Sequence, residues 1–445
     1  MKMLELGASG LFRVRVEVLW LFAGHIAVGI GGIIGISLLT NVMNAATFGA
    51  LSLYVGMAAL IMSVLVNPII QASIRFVSAV GNEHELARVR AITLQWLVIL
   101  LVVVGILSLP VGLGMSQLFG TWWFVPPLVV VLLIVDSIRA YNTSLLNAVR
   151  RQREFILWRA TDAWFRPLAA VTLVSLFSSA AWLGLLGYVL GTAAVGLIFI
   201  WVGRPGELAR QAVRARKRPV SSSVDVSALV RYALPMIPIG ALGWVLGTGD
   251  RYIIGGMLSV EATGLYAAIY AITSRPFLAL GQFFDVLLRP RLFDAGSAQH
   301  WRRFNQIFLG WIALTLAVTL PLVGVIFLFA EPLTALILGP DFADSAHLMP
   351  WIALGYVFAI AYQPVQRVLQ SYLLTHYTLL IQVLTTIIGV VSIIVGVRYG
   401  GLLGAAIALP VYFGSQLAIA AVILGWSKQV RETFLRFHTS GSTEK

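Results

Sequence analysis

The sequence predicts an all-α membrane protein with about twelve transmembrane helices in two six-helix lobes. Three observations lead to this prediction: an excess of apolar residues, apolar runs long enough to cross a bilayer, and basic residues confined to alternate loops. Hydrophobic residues make up 59% of the 445-residue chain and charged residues only 11%. Ordinary soluble domains have about 45–50% and about 25%. The surplus apolar surface must therefore face lipid.

The apolar runs have the length of helices and not of barrel strands. Transmembrane strands alternate over ~10 residues, whereas the runs 94–113 and 307–330 stay apolar for the ~20 residues that a spanning helix needs. In lipid a helix also satisfies its own backbone polar groups. The predicted spans are 17–40, 47–74, 91–114, 124–148, 161–179, 182–202, 229–257, 261–290, 304–329, 346–373, 377–397 and 401–426.

The basic residues test this assignment independently. Loops after even-numbered spans and the C-terminal tail carry nearly all of them, including the run Arg214 to Arg218 after the sixth span. On the opposite side the only basic loop residue is Arg398. The positive-inside rule then places both termini in the cytoplasm. The net charge of +13 reflects membrane topology and does not require a nucleic-acid partner.

The chain divides into two similar halves. The polar segment 203–227 is predicted to be a basic cytoplasmic linker between a lobe at 1–202 and a lobe at 228–428, with a cytoplasmic tail at 429–445. Leu109-Pro110 in the third span matches Leu320-Pro321 in the ninth. Because each lobe has six spans, both enter the membrane from the same side, which gives a parallel repeat of the kind transporters use. The alternative is convergence of residues at helix ends.

No motif for catalysis is present in the sequence. Cysteine is absent, which excludes disulfides and thiolate metal sites. Neither a phosphate-binding P-loop, nor His-Glu-x-x-His, nor Gly-x-Ser-x-Gly occurs. We therefore predict a protein that is not an enzyme and has no cofactor or metal.

Charged residues inside the spans are the candidates for function, because each costs ~2.5–3.5 kcal/mol at the bilayer centre. Asp136 and Arg139 are spaced i, i+3, so they either neutralise each other or serve a site. Asp285 and Arg289 are spaced i, i+4 and are interpreted as a structural pair.

The second lobe carries the less easily explained charges. Asp250 and Arg251 are adjacent and point about 100° apart, so one of them must find a partner on another helix or line a water-filled cavity. Arg275 precedes Pro276, and Arg367 follows Pro364. Broken helices with polar groups at mid-depth indicate a transport site.

Arginine predominates in this set, which favours an anionic substrate. Its planar guanidinium matches phosphate oxygens in pairs, so Arg251, Arg275 and Arg367 predict a cavity for a phosphate-bearing ligand. The competing interpretation is that these arginines snorkel to the interface or bind nearby acids. His25 in the first span is either a proton-sensing residue or a packing histidine.

Two motifs in the second lobe resemble a known family. The segment 250–258 (DRYIIGGML) followed by 264–270 (GLYAAIY) resembles the polysaccharide transporter family of oligosaccharide flippases. The segment 335–343 (ALILGPDFA) and the basic turn 148–155 (AVRRQREF) are similar to the same family. This family belongs to a superfamily that also holds multidrug exporters and lipid II flippases.

The resemblance implies a fold and a set of site residues. Members form a V-shaped central cavity between their lobes, lined mainly by spans 1, 2, 7 and 8. Carried onto this chain, the lining contains Asp250, Arg251, Arg275 and, as a candidate, His25. Arg139 and Arg367 would lie near the interface between the lobes. Members often place a basic residue at the end of the first span, where this chain has Thr40-Asn41.

The resemblance also implies the function. Members move undecaprenyl-diphosphate-linked oligosaccharide from the inner to the outer leaflet of the cytoplasmic (inner) membrane for polysaccharide biosynthesis, by alternating access. Sodium, protons or the membrane potential are candidates for coupling. Membrane lipids and glycan polymerase or ligase machinery are candidate partners. The alternatives are a cation-coupled multidrug exporter and a non-transporting scaffold of a polysaccharide synthase complex.

Overall fold

The computed structural model describes residues 8–79, 82–119, 122–214, 226–372 and 374–426. Within these ranges the backbone is helical almost throughout, and no strand occurs in this part of the chain. The prediction of an all-α membrane protein is therefore confirmed. Most of the basic run at 214–218 and the whole predicted tail at 429–445 lie outside the described residues.

The first half of the chain forms six long helices. The second of them, α2 (45–79), contains a π-helical turn, Met62–Val66, between Ala45–Ile61 and Asn67–Ala79. The short helix Pro205–Arg214 follows the sixth. The six are α1 (Ala8–Val42), α2 (45–79), α3 (Glu83–Phe119), α4 (Val125–Ala148), α5 (Gln152–Leu176) and α6 (Ala181–Gly203).

The second half continues the same pattern. Helix α7 covers 226–257 and consists of Val226–Ala233, Met236–Trp244, the π-helical turn Val245–Gly249 and Asp250–Met257. A 3₁₀ helix, Pro340–Leu348, precedes α10. The remaining helices are α8 (Val260–Ser297), α9 (Trp301–Ile337), α10 (Met349–Ser371) and α11 (Thr375–Trp426).

Side-chain exposure along α3 identifies a lipid-facing surface. Val98, Val102, Ile106, Leu109 and Leu113 are all exposed, although all are large and apolar. Their spacing of three and four residues places them on one stripe of the helix. An exposed apolar stripe of this length is stable against hydrocarbon and unstable against water.

Nine segments of the described chain are long and apolar enough to cross a membrane. Helices α5 and α8 are also long enough to cross a membrane but are not among these nine segments, and both contain charged and other polar residues. The last segment contains both of the final two predicted spans. The structure thus confirms a multi-pass membrane protein, and the count of twelve stays a prediction.

Helix α11 is two helices joined by a tight turn. Its 52 residues would extend ~78 Å as one straight helix, more than twice the hydrocarbon thickness of ~30 Å. Gly401 interrupts it with φ +55° and ψ −137°, a conformation that glycine adopts readily. Beyond this point Gly404 packs directly on the backbone of Gly396, so the chain reverses there.

Contacts group the chain into two compact units, Met1–Trp244 and Val245–Lys445. The segment 226–244 belongs to the first unit because it packs on α2. There, Ser63 Oγ donates a hydrogen bond to the Gly240 carbonyl at 2.9 Å, and Trp244 Nε1 donates to the Gly56 carbonyl at 2.9 Å. The boundary between these units follows Trp244 and lies later in the chain than residue 228, where the second six-helix lobe was predicted to start. The arrangement of two six-helix lobes joined by a linker at 203–227 stays a prediction.

Glycines allow α1 to pack closely against α5. A Cβ atom at Gly31 would lie 2.7 Å from Trp164 Nε1, and one at Gly35 would lie 2.6 Å from the Pro167 ring. Trp164 Nε1 also donates a hydrogen bond to the Ala27 carbonyl at 3.0 Å. Small residues at such a contact let two membrane helices approach each other.

We expect Gly31→Ala to lower the melting temperature of the purified protein. The added methyl group overlaps the Trp164 indole, and overpacking of this kind costs about 1–3 kcal/mol. Gly29→Ala is the matched control because a Cβ there meets no atom within 4 Å. It should leave the melting temperature unchanged or raise it. Equal melting temperatures for the two variants would refute this account of the α1–α5 contact.

Candidate functional site

Asp250 is a buried carboxylate at the start of the last segment of α7. Its side chain is 1% exposed. The Tyr266 hydroxyl of α8 donates a hydrogen bond to Asp250 Oδ2 at 2.8 Å, and the Arg251 backbone N–H donates to Oδ1 at 2.8 Å. The sequence left two alternatives, a partner on another helix or a water-filled cavity. For Asp250 the structure shows a partner on another helix, the tyrosine Tyr266.

The guanidinium of Arg251 lies over an aromatic ring of α8. Its guanidinium carbon is 5.4 Å from the centroid of Tyr270, a distance at which a cation attracts the ring face. The side chain of Arg251 is half-buried. Tyr266 and Tyr270 are spaced i, i+4, so α8 presents both to the same segment of α7.

Hydrogen bonds extend this polar core across the second unit. The Tyr356 hydroxyl of α10 donates to the Tyr270 hydroxyl at 2.7 Å. The Tyr412 hydroxyl of α11 donates to the Leu246 carbonyl at 3.3 Å. We call Tyr266, Tyr270, Tyr356 and Tyr412 the tyrosine cluster. Of these hydrogen bonds, the one from the Tyr266 hydroxyl reaches Asp250, where it replaces water that the buried carboxylate has lost.

Arg275 occupies a different side of α8. Five residues separate it from Tyr270, which corresponds to a rotation of about 140° around an ideal helix. Its side chain is half-buried and directly precedes Pro276. The Cα–Cβ bond of Arg275 therefore leaves α8 in a direction different from that of Tyr270.

Arg367 is bound by acceptors on its own helix and on α8. Its Nε donates to Asp285 Oδ1 at 2.6 Å, and its Nη1 donates to Gln370 Oε1 at 2.8 Å. Arg289 Nη1 lies 3.1 Å from Asp285 Oδ2, as the i, i+4 spacing predicted. Asp285 therefore binds two arginines. Arg367 is paired with a nearby acid, as expected from the interpretation that competes with phosphate binding.

The first unit contains a cluster of four charges, which we call the α4–α5 charge cluster: Asp136, Arg139, Asp162 and Arg166. Arg139 Nε donates to Asp136 Oδ1 at 3.1 Å and lies 3.6 Å from Asp162 Oδ2. Arg166 donates to both oxygens of Asp136, at 3.1 and 3.4 Å. The guanidinium of Arg166 also lies 4.7 Å from the ring centroid of Tyr188 on α6. The cluster is neutral as counted from its four members.

Four of the six predicted site residues thus fall into three local groups. Asp250 and Arg251 adjoin the tyrosine cluster, Arg367 binds Asp285, and Arg139 belongs to the α4–α5 charge cluster. His25 is half-buried on α1, next to Gly24, where an added Cβ atom would overlap the Ile156 side chain of α5. A role for each of these residues in substrate binding stays a prediction.

The sequence contained signals for two groups that the prediction missed. Asp162 and Arg166 are spaced i, i+4, and this spacing by itself predicts an ion pair on one helix. The same spacing relates Tyr266 and Tyr270. The predicted fifth span began at 161, so Arg153 and Arg159 were assigned to a loop, whereas the structure places both on α5.

Comparison with known proteins supports the fold. A family model described as "Polysaccharide biosynthesis protein" matches residues 14–293. The lipid II flippase MurJ in an inward closed conformation is similar over 97% of this chain and 93% of that chain, with a TM-score of 0.67 and 12% identity. A comparison with curated proteins finds no match.

Other solved transporters have a similar fold. An inward-facing MATE family transporter of the MOP superfamily is similar over 96% of both chains, with a TM-score of 0.60 and 15% identity. A MOP superfamily transporter from Pyrococcus furiosus, described with a binding pocket of reverse polarity, covers 95% of this chain and 97% of its own, with a TM-score of 0.56 and 14% identity. The chain therefore has the fold that the motifs led us to expect.

Proposed function

We propose, because this chain belongs to the polysaccharide biosynthesis protein family, that it is a flippase for undecaprenyl-diphosphate-linked oligosaccharide. It moves this lipid from the inner to the outer leaflet of the cytoplasmic membrane by alternating access. The family match over most of the chain is the observation that carries the proposal. The fold, which is that of a lipid II flippase and of MOP superfamily transporters, supports a transport function and not catalysis.

Arg251 and Arg275 support the choice of a diphosphate-bearing substrate. Both are half-buried in the second unit, and burial strengthens the attraction of a cation for phosphate. Each guanidinium offers a fork of donors that matches two phosphate oxygens. We assign the diphosphate to an arginine-lined cavity that contains Arg251 and Arg275, with Asp250 positioning Arg251 through its backbone N–H.

The remaining predicted residues are assigned less direct roles. Arg139 and Arg367 already hold carboxylates, so their place in the proposal is at the margin of the cavity, where they fix helix positions. His25 is retained as a member of the lining. The glycan occupies the aqueous part of the cavity, while the polyprenyl tail remains in lipid, where it needs no polar partner.

The proposal extends to the cellular setting. Both termini are cytoplasmic, and the protein delivers its substrate to glycan polymerase or ligase machinery on the outer side of the membrane. Sodium, proton movement or the membrane potential drives the cycle. The potential supplies ~2.3 kcal/mol per charge per 100 mV.

A deletion strain tests the function against its nearest rival. We expect loss of surface polysaccharide and accumulation of the lipid-linked oligosaccharide in the inner leaflet, both restored by the wild-type gene. Susceptibility to organic cations should not change. Normal surface polysaccharide together with raised drug susceptibility would instead support a multidrug exporter, the function of the MATE proteins that share the fold. Loss of polysaccharide without accumulation of the lipid-linked intermediate would favour a scaffold.

A further inference from the structure

Asp162 of α5 is the least compensated carboxyl group of the α4–α5 charge cluster. Its side chain is 9% exposed, and its buried Oδ1 atom receives no hydrogen bond of ordinary length and angle. Its Oδ2 atom lies 3.6 Å from Arg139 Nε, beyond the usual length of a hydrogen bond. A buried carboxylate with so few donors is costly and tends to be neutralised by a proton.

Asp136 accepts the arginine hydrogen bonds that Asp162 lacks. Three nitrogen–oxygen contacts of 3.1 to 3.4 Å join Asp136 to Arg139 and Arg166. Both guanidinium groups are thereby oriented toward Asp136. Two carboxyl groups compete for the same two cations in this cluster, and the geometry favours Asp136.

Charged and polar groups of α5 and of the helices packed against it surround Asp162. Arg159 and Arg166 lie on the same helix, and α4 adds Asp136 and Arg139. On α6, the buried hydroxyl of Thr192 lies beside Asp162 and is an uncharged donor that favours its carboxylate form, while Tyr188 stacks on Arg166. Among the described side chains of α1, the only titratable group is His25. Burial opposes ionisation of Asp162, and the neighbouring arginines favour it.

We propose that Asp162 is a proton-binding site whose occupancy is controlled by Arg139. With Arg139 on Asp136, as in this structure, Asp162 holds a proton and is neutral. When Arg139 moves onto Asp162, the proton leaves to water and the resulting carboxylate pairs with the guanidinium. As a coupling site for transport, this inference rests on the proposed flippase function.

A proton fits this site better than a metal ion. Sodium requires several oxygen ligands, whereas Arg139 places a positive charge 3.6 Å from Asp162 Oδ2. Within the described residues, no group of three or more histidine, aspartate or glutamate side chains is arranged to hold a metal. A proton needs one oxygen only, and Asp162 Oδ1 is available.

Infrared difference spectroscopy of the purified protein in nanodiscs tests the site without a transport assay. A protonated carboxyl group has a C=O stretching band that the carboxylate lacks. We expect wild type to show such a band that disappears as the pH is raised, Asp162→Asn to lack it, and Asp250→Asn, which removes the other deeply buried aspartate, to keep it. Retention of the full band in Asp162→Asn, or its removal by sodium at constant pH, would overturn the proposal.

A second variant separates the proton site from structural effects of Asp162→Asn. Arg139→Gln leaves Asp162 in place and removes the cation that favours its ionisation, so the band should persist to higher pH than in wild type. An unchanged titration would contradict control by Arg139. In liposomes, Asp162→Asn should transport without responding to a pH gradient. Absence of transport by wild type would count against the flippase function and leave the infrared result intact.

Discussion

Asp136→Ala is expected to destabilise the folded protein by about 3–5 kcal/mol, because it leaves Arg139 and Arg166 without their shared carboxylate. The side chain of Arg166 is 17% exposed and that of Asp136 is 14% exposed, so water cannot replace the lost bonds. Asp162 could accept one of the two guanidinium groups, which sets the lower end of this range. The free energy of unfolding in detergent, from denaturant titration, measures the effect.

Glu154→Ala is the matched control for this prediction. Glu154 also pairs with an arginine at i, i+3 spacing, with 3.5 Å between its Oε1 and Arg151 Nη1, but both side chains are 31% or more exposed. Exposed pairs contribute about 0–1 kcal/mol. A loss in Asp136→Ala no larger than that in Glu154→Ala would show that the α4–α5 charge cluster does not stabilise the first unit.

Arg275→Ala is expected to abolish export of the glycan at normal protein abundance. Arg275 is about 140° around α8 from Tyr270, so we expect its removal to leave the hydrogen bonds of the tyrosine cluster in place. Loss of one charge-assisted bidentate contact to the diphosphate removes about 1.5–3 kcal/mol of binding per hydrogen bond. Surface glycan in a deletion strain carrying the variant, normalised to protein in the membrane, measures the effect.

Arg289→Ala controls for the loss of any arginine from α8. Its side chain is 44% exposed, and Asp285 keeps Arg367 as a partner when Arg289 is removed. We expect export close to the wild-type level. Normal surface glycan in Arg275→Ala would exclude Arg275 from the substrate site, and equal losses in both variants would indicate a general effect on α8.

The membrane fold was predictable because hydrocarbon imposes a simple rule on sequence. Long apolar runs and alternate basic loops located the helices, and the short polar break near Arg398 anticipated the reversal at Gly401. The start of α5 was mispredicted, since Arg153 and Arg159 resemble a loop. Arginines can remain helical near the membrane surface because their long side chains reach water.

Local charge pairs were also predictable, whereas contacts between distant helices were not. The pairs Asp136–Arg139 and Asp285–Arg289 follow from spacing along one helix. The bonds from Arg367 to Asp285 and from Tyr266 to Asp250 depend on the axial register of separate helices. That register is set by close packing of side chains between helices. Such packing cannot be predicted from the residue pattern of a single sequence.

The most direct test of the flippase function follows a fluorescent polyprenyl-diphosphate oligosaccharide across liposome membranes that contain the purified protein. The account predicts transbilayer movement by wild type under an imposed ion gradient, loss of movement in Arg251→Ala and Arg275→Ala, and none in empty liposomes. If folded wild-type protein moves no lipid-linked glycan under any such gradient, the flippase function is contradicted.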